Sequence, residues 1–138
     1  WFLEALGVWV SHLNGCGYCV EHHFAGMKRL MRDDARSDAL RAAITADDVP
    51  AMPLDAREQA AMRYAERLAR APQDMAETDV QALRMAAWDD GEILEINQVT
   101  SYFCYANRTV LGLGCSTEGD IIGLSPNNND DPDDWNHA

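Results

Sequence analysis

Long apolar runs, basic clusters, phosphate-binding loops and strand-like alternation are all missing from this chain. No stretch approaches the roughly 20 apolar residues of a membrane span, and no segment has the charged, apolar and cleavage regions of a signal peptide. No basic cluster is longer than Lys28-Arg29, and 23 acidic against 11 basic residues leave a net charge of −12. Such a surface repels polyanions, which argues against nucleic acid and anionic membranes as partners. There is no internal repeat, no glycine-rich phosphate loop and no Ser/His/Asp nucleophile motif, so those chemistries are set aside. Sustained alternation over strand length is absent too, which points to an all-α chain.

Cysteines are few: Cys16, Cys19, Cys104 and Cys115. At 138 residues and 47% hydrophobic composition the chain can bury a core without disulfide staples. A soluble cytoplasmic protein with one reactive cysteine pair is expected. The chain opens on Trp1, inside an amphipathic stretch and without an initiator Met, so a further segment upstream is expected as well.

What is present is helical periodicity. Leu3, Leu6, Val10 and Leu13 form one stripe, weakened by Gly7 and ended by Asn14-Gly15. A second helix is expected from Gly17 to Met31, with Phe24, Met27, Leu30 and Met31 inward, then a short one near 35–43 and a loop from Thr45 to Pro53. Asp55-Ala-Arg-Glu58 reads as a capping box for a helix to Arg70, and Thr78-Asp-Val-Gln81 as another for a helix ending near Trp88. Ile93, Ile96, Val99, Phe103, Ala106 and Val110 mark the expected central packing helix, closed by Gly112-Leu-Gly114. The expected division is a helical domain over 1–114 and an acidic, extended tail over 115–138 on which Trp135 alone could dock.

The chemistry concentrates in Asn14-Gly-Cys16-Gly-Tyr18-Cys19-Val-Glu-His22-His23. If the segment from Gly17 is helical, positions 16, 19 and 23 share a face and an imidazole lies near two thiols. A helix N-terminus favours thiolate, the reactive form, and Gly17 allows a tight turn there. His23 can take a proton from Cys19 and return it to a leaving oxygen. Dipole logic alone favours Cys16, nearer the helix start, as the more acidic thiol. Bland alternatives stand beside this reading: half of a zinc site completed by His22 or His23 with Cys104, or an inert buried pair. By residue type alone, Glu4 is a surface carboxylate, Tyr18 packs on His22, His22 is exposed or a secondary donor, Cys104 is a small apolar residue and Cys115 is spare.

With those residues in view, the sequence resembles the AhpD-like alkylhydroperoxidases of the carboxymuconolactone decarboxylase superfamily, in particular the peroxidase-related branch. Glu4, Cys16, Cys19 and His23 fall at the spacing of that family's glutamate, Cys-x-x-Cys and histidine, and Leu94-Glu-Ile-Asn-Gln98, Tyr105-Ala-Asn-Arg108 and Gly119 to Pro126 match further on. The resemblance implies an all-helical AhpD-like fold, assembly into homotrimers or homohexamers through helix packing, and peroxide reduction with no cofactor or metal. It implies that Cys19 attacks organic hydroperoxide or hydrogen peroxide, that Cys16 resolves the sulfenate to a disulfide, and that Glu4 and His23 relay the proton. A dithiol such as dihydrolipoamide, or a peroxiredoxin partner, would restore the thiols. Tyr18 departs from the pattern, standing where the best-known members have a relay histidine, and a phenol near pKa 10 is a poor base at neutral pH. The alternatives are a lactone decarboxylase of the same fold and a non-catalytic redox-sensing oligomer module; a thioredoxin-like oxidoreductase is disfavoured because helix, not strand, precedes the motif.

Overall fold

A computed structural model describes residues 1–123, and among these there are six α-helices, two single 3-10 turns and no strand. The helices are α1 (Phe2–Leu13), α2 (Gly17–Met31), α3 (Asp34–Thr45), α4 (Ala56–Arg70), α5 (Glu77–Met85) and α6 (Asp90–Gly112), with 3-10 turns at Val49–Ala51 and Pro72–Asp74. Of the acidic tail expected over 115–138, residues 124–138, Trp135 included, lie outside the described residues. No described helix is long and apolar enough to cross a membrane.

The centre of the molecule is α1, not α6 as the length of its apolar stripe suggests. Every residue from Ala5 to Ser11 is buried, because α1 packs against α2, α3, α4 and α6. Its sequence explains this: no charged side chain interrupts Ala5 to Ser11, so the helix is free of charge on all sides rather than on one stripe. Trp9, fully buried, satisfies its indole N–H by donating to the Met62 carbonyl of α4 at 3.1 Å. By contrast α6 buries one line, Ile93, Ile96, Thr100, Phe103 and Asn107, and leaves Leu94, Tyr102, Tyr105 and Leu111 exposed. Leu3 and Leu30, read as inward-facing from the sequence, are exposed.

Local signals set most helix ends. Asp55 and Glu58 form the reciprocal capping box expected at α4, and Asp89 with Glu92 forms a second at α6. Asp33 opens α3 by accepting from Arg36 N at 3.0 Å. Thr78 does not cap α5; the helix starts at Glu77, where Asp79 reaches back to accept from Ala76 N. Between α1 and α2 the left-handed turn falls on Gly15, at φ +70°, while Gly17 is simply the first helical residue. This turn places the two cysteines at the mouth of α2.

Gly7 has a packing role. A Cβ on it would come within 2.3 Å of the Phe103 ring, so the missing side chain is a notch in α1 that seats Phe103 of α6. Phe103 in turn meets the His23 ring edge to face, with centroids 4.6 Å apart. Helix packing at Gly7 thereby reaches the imidazole of α2.

Candidate active site at the start of the second helix

Cys16 is the residue capping α2, with φ −88° and ψ 84°, and Cys19 is the third helical residue. Both carry free thiols and both are buried. The Cys16 amide donates to the Ser11 carbonyl at 2.9 Å, which pins the first cysteine to the end of α1.

The Cys19 thiol is pushed up to about 11, first by burial and then by its hydrogen bond with Cys16; the Asn107 amide and the residue's own N–H act in the opposite direction without prevailing. The helix N-terminus was expected to favour thiolate, and desolvation outweighs it. The protonated thiol is therefore the form that folding favours. Its contribution to stability is complete below the ordinary thiol value of 9.0 and is lost as pH rises from there toward 11, because the unfolded chain sheds the proton first. Alkylation of Cys19 by iodoacetamide at pH 7.5 should accordingly be at least about tenfold slower in the native protein than in guanidinium. Equal rates, measured by mass spectrometry of the Cys19 peptide, would show that burial does not protect this thiol.

One helical turn beyond Cys19, His23 meets Glu4 of α1, with Nδ1 donating to Oε2 at 2.8 Å. An ionised carboxylate only accepts, so the proton sits on Nδ1 and Nε2 is left as the basic nitrogen of the neutral ring. The two side chains keep 29% and 21% of their surface exposed, so the pair is partly open to solvent while both sulfurs are buried. Among the described residues no hydrogen bond joins His23 to either sulfur.

The secondary candidates lie apart from that pair. Tyr18 donates its phenolic hydrogen to Asp120 Oδ2 at 2.8 Å, and that bond, with the carboxylate's charge and some desolvation, raises its pKa further. Its ring faces His22 at 4.4 Å, as expected from the spacing. His22 Nδ1 meets the Gly123 backbone, 3.2 Å from its carbonyl oxygen, and His22 Nε2 lies 3.4 Å from Asp120 Oδ2 without hydrogen-bond alignment. Residues 120–123 therefore lie along the outer face of α2. Cys104 is half-buried with Asn14 Nδ2 at 3.7 Å from its sulfur, and Cys115 is exposed. His22, His23 and Cys104 are thus engaged separately, and among the described residues no three His, Cys, Asp or Glu side chains gather to hold a metal ion.

Three residues assigned no role from sequence enter the site. Asn107, fully buried on α6, accepts from Asn14 Nδ2 at 3.0 Å and donates to Ser11 Oγ at 2.9 Å. The signal was available: a carboxamide at 107, four residues after Phe103, continues the apolar line of α6. An open groove of about 570 Å³ between α4 and α5, lined in part by Arg63, Tyr64 and Met85, contains none of these residues.

No protein-family model and no curated protein matches the sequence. Solved structures do match the fold. An uncharacterized peroxidase-related protein from Silicibacter sp. TM1040 superposes with a TM-score of 0.74 at 28% identity, over 83% of this chain and 58% of that one. An alkylhydroperoxidase AhpD core, an uncharacterized peroxidase-related protein from Ralstonia eutropha JMP134, gives a TM-score of 0.70 at 24% identity, over 80% of this chain and 56% of that one. This chain thus spans under two thirds of the length of either neighbour.

Proposed function

We propose, from the premise that this is an AhpD-like chain similar to peroxidase-related proteins, that it is a thiol peroxidase acting on organic hydroperoxides or hydrogen peroxide through Cys19 and Cys16. The observation that carries the reading is the Glu4–His23 hydrogen bond one turn from a buried dithiol pair. A buried thiol is a slow nucleophile, and a carboxylate-oriented imidazole supplies the base it needs at neutral pH.

The chemistry balances on this chain's own groups. His23 Nε2 takes the Cys19 proton, the sulfur bonds to the peroxide's hydroxyl oxygen as the O–O bond breaks, and the departing alkoxide receives the proton back from the imidazolium. Cys19 is then a sulfenic acid. The Cys16 sulfur attacks it, water leaves and the disulfide forms. One hydroperoxide and two thiols give one alcohol, one water and one disulfide, which an external dithiol or a peroxiredoxin-type partner reduces. Tyr18, tied to Asp120, lies outside this relay.

Stopped-flow consumption of cumene hydroperoxide with dihydrolipoamide as reductant tests the reading. His23→Ala should slow oxidation of the pair by about 10²–10³ while circular dichroism stays helical, which is the span of general acid–base catalysis. Glu4→Gln should cost less, about tenfold, because the imidazole loses its orienting partner and keeps its basic nitrogen. A full-speed His23→Ala protein would sink the relay.

One alternative has an observation in its favour. The burial and raised pKa of Cys19 suit a redox switch that oxidises slowly and alters an assembly surface. Oxidation over minutes accompanied by a change in oligomeric mass would select it over the peroxidase. Self-association into trimers or hexamers belongs to the same proposal, supported by the exposed Leu94, Tyr102, Tyr105 and Leu111 on α6.

A further inference from the structure

A carboxamide with no solvent exposure stands at position 107 of α6, on the same buried line as Ile93, Ile96, Thr100 and Phe103. Burying such a group is unfavourable unless its polar atoms find partners. Its partners here lie within one short stretch of chain. Asn107 Oδ1 accepts from Asn14 Nδ2 at 3.0 Å, and Asn107 Nδ2 donates to Ser11 Oγ at 2.9 Å. Asn14 Nδ2 also points at the Cys104 sulfur of α6, 3.7 Å away. Ser11, itself fully buried, gives its carbonyl to the Cys16 amide at 2.9 Å. One side chain of α6 therefore grips both Ser11 and Asn14, the residues that lead into the first cysteine.

We propose that Asn107 is a positioning residue for Cys16: by gripping Ser11 and Asn14 it fixes the turn between α1 and α2, and so sets how readily Cys16 and Cys19 close to a disulfide. The inference deepens the reading of these thiols as a redox pair and rests on it. Cys16 is the N-cap of α2 and Cys19 its third helical residue. At that spacing a capping side chain ordinarily reaches across the first turn toward the third residue. The register holds only while Cys16 keeps its non-helical conformation, φ −88° and ψ 84°. Little within the turn enforces it. The Cys16 side chain makes no capping bond, and a Cβ on Gly15 or Gly17 would meet nothing within 4 Å, so the turn is open on its outer side. The hold comes from α6.

The carboxamide is what distinguishes this contact from ordinary packing. A leucine at 107 would fill the space between α6 and α1 without burying polar atoms, and it would leave Ser11 Oγ and the Asn14 amide without these bonds. In disulfide closure two S–H bonds break and one S–S bond forms, while two electrons and two protons pass to the oxidant. With glutathione disulfide as oxidant, the products are two molecules of glutathione. The equilibrium constant of that exchange measures the effective concentration of one cysteine toward the other. A turn held in register raises it, because little freedom is left for closure to remove.

The test needs no peroxide. A Cys115→Ser background, which removes the exposed thiol, is equilibrated with mixtures of reduced and oxidised glutathione, and the Cys16–Cys19 disulfide is quantified by mass spectrometry of the quenched protein. Asn107→Leu should lower the equilibrium constant about tenfold, equal to a rise of about 30 mV in reduction potential. Ser11→Ala and Asn14→Ala, which each remove one bond, should lower it about threefold, and they serve where the leucine variant does not fold. Adding Ser11→Ala to Asn107→Leu should lower it no further, since the bond between them is already gone. A residue that only stabilises the fold supports the dithiol and disulfide forms alike; its loss lowers Tm and leaves this equilibrium where it was. An unchanged or larger constant in folded Asn107→Leu, or in both single-bond variants, overturns the proposal. A parent protein that forms no Cys16–Cys19 disulfide in oxidised glutathione removes the redox pair and the proposal together. The expected fall alongside absent peroxide turnover supports the proposal and removes the peroxidase reading instead.

Discussion

Cys19→Ala and Cys16→Ala are each expected to reduce peroxide turnover to the uncatalysed background, while the two proteins should differ in a single-turnover experiment. With Cys19 as the attacking sulfur, a Cys16→Ser protein still reacts once with hydroperoxide and stops at a Cys19 sulfenate, because nothing remains to displace the hydroxyl. Cys19→Ser should consume none. The buried position of both sulfurs makes the experiment informative, since adventitious oxidation of exposed thiols is confined largely to Cys115. Dipole logic supports the reverse order, as Cys16 caps α2 and Cys19 lies one turn into the helix. One geometric feature supports Cys19: His23 follows it one turn later on the same helix. Mass spectrometry after one equivalent of hydroperoxide decides the matter. Sulfenate on Cys16 in the Cys19→Ser protein, with none on Cys19 in the Cys16→Ser protein, would exchange the roles, and undiminished turnover in either alanine variant would remove the mechanism altogether.

The second large effect is expected far from the sulfurs. Gly7→Ala is ordinarily a stabilising change within a helix, by up to about 1 kcal/mol. Here the added methyl would lie 2.3 Å from the Phe103 ring, a contact that cannot exist unless that ring or the packing of α1 on α6 shifts. Overpacking of this kind costs typically about 1–3 kcal/mol, and Phe103 has little room to yield because its other side meets His23. A net loss of about 2 kcal/mol should lower Tm by roughly 6–10 °C for a domain of this size. Displacing Phe103 should also turn the His23 ring away from Glu4 and slow peroxide reduction beyond what stability alone explains. Phe103→Leu combined with Gly7→Ala should recover much of the lost stability by making room. A Gly7→Ala protein as stable as the parent would show that the notch is not what seats the aromatic ring.

The two predictions concern different kinds of information. Cys16, Cys19 and His23 are close in the chain, so the rise of a helix alone puts them on one face, and their sequence spacing carries that fact. Capping at Asp55 with Glu58 is equally local and forms as its spacing requires. Local reading failed at one helix start: Thr78 was read as a cap although Asp79 does that work from inside the helix. Glu4 stands between these cases. Resemblance placed it with His23, whereas periodicity left it as one of many acidic residues on a chain of net charge −12.

By itself, then, the amino-acid order determined the helical class, most of the helix boundaries and the coincidence of two thiols with an imidazole, because these follow from periodicity and contacts within about one turn. Only the tertiary structure decided which helix lies at the centre, since α6 has the longer apolar stripe while α1 has neighbours on every side. It also decided that Tyr18 turns to Asp120, that Glu4 meets His23, and that Asn107 joins Ser11 and Asn14. Those contacts connect residues 19 to 102 positions apart, and a side chain's partner across such distances is set by how the helices stack, which no local pattern encodes.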